Sequence, residues 1–187
     1  NVRCGATDTT DLQRVVRETD ASLGLAFDGD ADRLIAVDEK GDIVDGDAVM
    51  AICALDLLSQ GKLNKNTLVT TVMSNGGLDI LAEQKEIQVI RTAVGDRYVL
   101  EKMLEGGYNF GGEQSGHVIF SDYATTGDGL LTALQLLNVI QKEQKPLSEL
   151  SSILERLPQV LVNQKVGTKE GWSKNDKILA AIDHVKS

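Results

Sequence analysis

Apolar residues along the chain alternate between two rhythms. In residues 7–19, TDTTDLQRVVRET, Leu12, Val15 and Val16 fall at helical spacing behind Thr and Asp cap candidates, which predicts a helix. SLGLAF (22–27) is a short apolar run and predicts a buried strand ending at Asp28. LIAVDEKGDIV (34–44) predicts a hairpin turning at Lys40, Gly41 and Asp42. DAVMAICALDLLSQG (47–61) predicts an apolar helix stopped near Gly61. The rhythm then repeats: strand 67–73, helix 77–85, strand 87–92 and helix 96–107. A glycine-rich hairpin over 108–120 follows, then a long amphipathic helix over 127–144 and a shorter one over 146–157 with Pro146 in its first turn.

Strands alternating with helices of this length predict an α/β layered fold, a mixed sheet with helices on both faces. The tail, 159–187, predicts one more strand and one helix; it has no partners of its own and reads as the start of another unit. No internal repeat and no low-complexity segment interrupts the pattern.

A length of 187 residues allows one domain or two small ones, and 42% hydrophobic content supports a core. The net charge of −9 argues against a nucleic-acid groove, which needs clustered Lys and Arg. It leaves room for a small phosphorylated ligand, which needs only a few cations or a helix N-terminus. Cys4 and Cys53 are too few for a disulfide framework and fit a reducing compartment. No apolar run reaches transmembrane length and no signal pattern opens the sequence, so no membrane partner and a cytoplasmic location are expected. The first residue is Asn1 rather than Met, so a piece of a longer chain is expected.

FDGDADR places Asp28, Asp30 and Asp32 at alternate positions at the end of an apolar run. Two unit charges about 4 Å apart repel by roughly 4 kcal/mol at an effective dielectric of 20, so convergence is costly without a cation. On a straight strand, alternate side chains lie about 6.5–7 Å apart, too far to share one ion. Gly29 and Ala31 would let the loop curl, with Gly29 free to take backbone angles closed to other residues. Oxygen ligands on a tight loop suit Mg²⁺, Mn²⁺ or Ca²⁺. The alternative is an acidic turn with solvated side chains. An EF-hand loop also begins D-x-D-x-D, but its sixth position requires Gly and here holds Arg33.

GGEQSGH (111–117) sets Glu113 and Ser115 two apart between glycines, where a carboxylate and a hydroxyl can bond sugar hydroxyls. A flexible hairpin tip is the alternative. His117 reads as an ordinary strand residue, with a ligand contact as the alternative, and His184 as solvated on the last helix. In TAVGDRYV (92–99), Asp96 and Arg97 open a helix whose N–H groups can meet an anion, unless Asp96 is only its cap. TTGDG (125–129) opens the long helix and reads as plain capping.

Together FDGDADR, GGEQSGH, TAVGDRYV, VMSNGG and TTGDGLLTALQL resemble the α-D-phosphohexomutases, over nearly all of the chain. The family's metal loop more often reads D-G-D-G-D-R, so Ala31 is a departure that loses no ligand. The resemblance implies four domains around a cleft. Residues 1–45 would be the later part of the second domain with the metal loop. Residues 46–157 would be the third with the sugar loop, and 158–187 a linker and the start of the fourth. It implies Mg²⁺ on Asp28, Asp30 and Asp32, a catalytic Arg33 near the transferring phosphate, and Glu113, Ser115, Asp96 and Arg97 as substrate-binding residues. The implied reaction moves phosphate between a serine and a sugar through a bisphosphate, which is mainly charge stabilisation and positioning. The implied substrate is glucosamine phosphate, a phosphorylated amino sugar, with mannose or glucose phosphates as alternatives.

The family's Ser-His-Asn-Pro and Arg-Pro-Ser-Gly-Thr loops are not in this sequence, whose two prolines are Pro146 and Pro158. A central part of the enzyme, without domains 1 and 4 and without the phosphoserine, is therefore expected. From other classes, a non-catalytic divalent-metal module stays open. A haloacid-dehalogenase-type phosphatase would need D-x-D-x-T, which Arg33 does not meet.

Overall fold

The computed structural model describes residues 4–168 and 171–186; residues 1–3, 169–170 and 187, within the ends and tail considered above, lie outside it. Strands β1 (Leu23–Phe27), β2 (Leu34–Asp38) and β3 (Ile43–Val44) form an antiparallel meander, with Phe27 opposite Leu34. Its turn forms at the expected glycine: Gly41 takes φ 82 and its N–H donates to Asp38 O at 2.9 Å. Helix α1 (Thr10–Thr19) covers one face, where a Cβ on Gly24 would come within 2.8 Å of the Leu12 side chain.

The other face joins helices α2 (Gly46–Ser59) and α5 (Gly129–Glu143) in one hydrophobic cluster that includes Leu34, Ala36 and Val44. Helix α2 is apolar nearly all round and is buried from Gly46 to Ala54, as such helices must be.

The second sheet runs β5-β4-β6-β7, with β4 (Thr67–Thr71) parallel to β5 (Gln88–Thr92) and β6 (Phe110–Gly112), and β7 (Val118–Phe120) antiparallel to β6. The chain steps outward from β4 to β5 through α3 (Gly77–Lys85), then back past β4 to β6 through α4 (Asp96–Gly106). Crossovers of one hand in opposite directions place the two helices on opposite faces. The side chains agree. Leu68, Phe110 and Phe120 pack with α2, α3 and α5, while Val69 and Ile119 pack with Val99 and Met103 of α4. The sheet is mixed and carries helices on both faces, as the sequence pattern predicts. The loops after the parallel strands leave one edge, where open α/β sheets bind ligands.

Two expectations fail near the C-terminus. The helix expected over 146–157 is confined to α6 (Leu147–Ser151), with Pro146 at its N-cap. Asn75 takes the residues beyond: its Oδ1 accepts from Leu157 N and its Nδ2 donates to Leu157 O, both at 2.9 Å. Tertiary bonding overrides helix propensity there. The chain divides after Leu157 into two compact units. In the second, a 3-10 turn (Trp172–Lys174) precedes the expected helix, α7 (Asp176–Lys186). The expected strand is not formed among the described residues 158–168. Val160 is 84% exposed, and Leu161 and Val162 are exposed beside it, so the stretch has no buried face of the kind that holds a strand in a sheet. No helix among the described residues is long and apolar enough to cross a membrane.

Candidate active site

The aspartates occupy the loop between β1 and β2. Asp28 O accepts from Ala31 N at 3.3 Å and Asp28 Oδ1 from Arg33 N at 3.2 Å, which closes the loop on itself. The curl comes from Ala31, at φ 59, and not from Gly29. One ligand atom from each of Asp28, Asp30 and Asp32 lies within 4.8 Å of the others. Arg33 Nε stands 3.8 Å from Asp28 Oδ2 and 3.9 Å from Asp32 Oδ1, too long for hydrogen bonds. Asp32 Oδ1 and Arg33 Nε are both buried without a hydrogen-bond partner. Converging carboxylates with an unused buried oxygen fit a hard divalent cation.

Distant segments hold this loop. Gly129 N donates to Ala31 O at 2.9 Å and Leu34 N to Gly116 O at 3.0 Å. His117, 3% exposed, places Nδ1 3.0 Å from Asp32 Oδ2, and its Nε2 accepts from Gly127 N at 3.1 Å. The ordinary-strand reading of His117 therefore missed a contact. The one signal was its place directly after the glycine-rich loop. Asp128 caps α5 through Leu131 N at 2.9 Å, as plain capping predicts. The glycines beside it do more. A Cβ on Gly127 would lie 2.4 Å from His117 Nε2, and one on Gly129 would lie 2.5 Å from Arg33 O. His184 is exposed on α7.

The glycine-rich loop between β6 and β7 carries Glu113 and Ser115. Glu113 Oε1 accepts from Gly95 N at 3.0 Å, at the N-cap of α4, and Ser115 Oγ lies 3.5 Å from Oε2. Gly46 N, in the first turn of α2, donates to Gln114 O at 3.0 Å. Thr70 Oγ1 donates to Gly112 O at 2.9 Å and meets Ser74 Oγ at 2.5 Å. Ser74 in turn adjoins Asp47, a fully buried carboxyl whose Oδ2 accepts from Asn75 N at 2.8 Å. Burial pushes the Asp47 carboxyl above the usual aspartate range, and the Asn75 N–H opposes the shift. Arg91 fixes the same stretch through the carbonyls of Thr71, Ser74 and Asn75. Burial pushes the Cys53 thiol up to about 12, which leaves it unreactive.

Between the two loops lies a cavity of about 380 Å³ lined by Arg33, Thr71, Met73, Val94, Glu113, Gln114 and Ser115. Arg33 thus touches both the aspartate cluster and the cavity. Met73, Val94 and Gln114 were not singled out in the sequence, although each lies in a quoted segment. Asp96 is the first residue of α4 rather than its cap, exposed to solvent and 3.9 Å from His117 Nε2. Arg97 is tied to Glu101 at 2.7 Å on the exposed side of α4 and does not line the cavity.

A mixed sheet flanked on both faces, with an aspartate loop and a glycine-rich loop across one cavity, is the arrangement of a phosphohexomutase. Residues 45–157 match the family model described as phosphoglucomutase/phosphomannomutase, alpha/beta/alpha domain III, and the chain belongs to that family. Among curated relatives it is 59% identical over 182 residues to the phosphoglucosamine mutase of Symbiobacterium thermophilum. That match covers 97% of this chain and 41% of the relative, so the chain spans about two fifths of the relative's length. Among solved structures, a phosphoglucomutase/phosphomannomutase family protein from Burkholderia thailandensis superposes with a TM-score of 0.71 at 28% identity, over 83% of this chain and 33% of its own. The N-acetylphosphoglucosamine mutase of Aspergillus fumigatus, in complex with GlcNAc-6P and magnesium, shares the fold at a TM-score of 0.62 and 19% identity, over 83% of this chain and 38% of its own.

Proposed function

We propose that this chain supplies the metal loop and the sugar loop of a phosphoglucosamine mutase, an isomerase interconverting glucosamine 6-phosphate and glucosamine 1-phosphate. In this reading residues 1–45 end the second domain, 46–157 form the third and 158–187 lead toward the fourth. The donor phosphoserine comes from outside the chain, and the enzyme works in the cytoplasm. Asp28, Asp30 and Asp32 hold Mg²⁺, which neutralises charge on the transferring phosphoryl group when bound. Arg33 orients that phosphate from the cavity side. Glu113 and Ser115 accept from and donate to the sugar hydroxyls, with Glu113 already aimed by Gly95 N–H. Met73 and Val94 give the cavity apolar patches against which the sugar ring can lie. Asp96 and Arg97 do not line the cavity; Asp96 faces His117 at 3.9 Å, and Arg97 would have to leave Glu101 to reach a ligand.

The supporting observation is Arg33, within 4 Å of the aspartates and lining the cavity that Glu113 and Ser115 share. The test is an assay of the enzyme containing this chain, with glucosamine, mannose and glucose 6-phosphates as competing substrates. Glucosamine 6-phosphate should be preferred, and Asp30→Asn should lower turnover about 100-fold or more. Preference for mannose or glucose phosphate, or full activity of the variant, would overturn the reading.

A further inference from the structure

His117 lies outside the role just proposed for the sugar loop, and its two ring nitrogens have different partners. Gly127 N–H points at Nε2 at 3.1 Å. A backbone N–H can only donate, so Nε2 presents its lone pair and the ring proton is on Nδ1. Nδ1 lies 3.0 Å from Asp32 Oδ2, so it donates there. The Asp96 carboxylate stands 3.9 Å from Nε2, beyond hydrogen-bond reach, and does not compete for a proton there. His117 is 3% exposed, and Gly127 approaches it so closely that a Cβ would sit 2.4 Å from Nε2. On the carboxylate the consequence is asymmetric. Oδ2 is taken by the imidazole, while Oδ1 is buried with no hydrogen-bond partner.

We propose that His117 is a positioning residue for the cation site. It fixes the rotation of the Asp32 carboxylate by an Nδ1–H bond to Oδ2 and so presents Oδ1 to the metal. Gly127 is the third member of the chain, because its N–H sets the tautomer. This is the arrangement by which outer partners orient metal ligands, here with carboxylate and imidazole exchanging their usual places. It ties the two loops together: His117 follows the sugar loop directly, so the hairpin that carries Glu113 and Ser115 also sets the angle of a metal ligand 85 positions upstream. The inference rests on the metal reading of the aspartates.

The test uses this chain, Mn²⁺ as the probe, and two substitutions that split the imidazole's functions. His117→Asn keeps a donor where Nδ1 stands. His117→Gln keeps an acceptor where Nε2 stands and loses the donor to Asp32. Mn²⁺ affinity, read by electron paramagnetic resonance, should fall about 10-fold or more in His117→Gln and stay close to wild type in His117→Asn. Equal losses in both, or none in either, would overturn the inference while leaving the metal reading intact. No Mn²⁺ binding by the wild-type chain would overturn both. A measurement that needs no variant is the ¹⁵N spectrum of the His117 ring. The Nδ1-protonated tautomer is expected, and the Nε2-protonated tautomer would overturn the inference whatever the variants do.

Discussion

Burial holds the Asp47 carboxyl above the usual aspartate range, against the pull of the Asn75 N–H. A carboxyl with a raised folded-state pKa binds its proton more tightly folded than unfolded. Its stabilising contribution is complete below the unfolded value and is lost as pH rises through the folded one. Asp47→Asn should remove that loss, because an amide carbonyl still accepts from Asn75 N and carries no charge. Urea unfolding at pH 4.5 and 7.5 checks this: the variant should gain on wild type at the higher pH. A stability difference independent of pH would refute it. Asp47→Ala should cost about 1–3 kcal/mol at both, since the buried Asn75 N–H loses its acceptor. Residues of this kind mark the limit of sequence reading. The aspartate trio was legible because the whole pattern lies within five positions. Asp47 and His117 were not, because their partners Asn75 and Asp32 lie 28 and 85 positions away. Ala31 takes the left-handed position expected of Gly29: the turn closed by Ala31 N on Asp28 O has Gly29 and Asp30 at its centre without a positive φ at either, and the chain reverses at the residue after them.

At the level of elements, α5 begins with a glycine where helix propensity would favour alanine by about 1 kcal/mol. Propensity alone therefore predicts that Gly129→Ala stabilises the protein. The structure predicts the reverse, since the added Cβ would meet Arg33 O at 2.5 Å and Ala31 O at 2.9 Å, both backbone atoms. Gly129→Ala should lower the thermal midpoint and weaken Mn²⁺ binding; a raised midpoint with unchanged affinity would show the contact to be soft. Helix and strand identities were legible because their periodicities are local, and α3 formed over the expected residues, Gly77–Lys85. The order β5-β4-β6-β7 was not legible, because pairing across a sheet leaves no periodic mark. The helix expected over 146–157 stopped early for a similar reason: Asn75, which binds Leu157, is 82 positions away.

Across the molecule, one hydrophobic cluster runs from the meander through α2 and α5 into the mixed sheet. It fixes the aspartate loop and the glycine-rich loop in one unit, Asn1–Leu157. That unit holds no donor serine in a Ser-His-Asn-Pro setting. With Mg²⁺ and the bisphosphate activator supplied, the 187-residue chain alone should turn over glucosamine 6-phosphate at less than about a thousandth of the rate of the enzyme containing it. Comparable rates would mean that the nucleophile lies within this chain.

The clamps on the aspartate loop have a consequence for anyone wishing to transplant it. The seven letters FDGDADR look like a portable cassette. Yet their shape is written elsewhere, in the Gly116 carbonyl, the His117 ring and the amide of Gly129. Grafted onto another hairpin without those supports, the letters would travel and the geometry would stay behind.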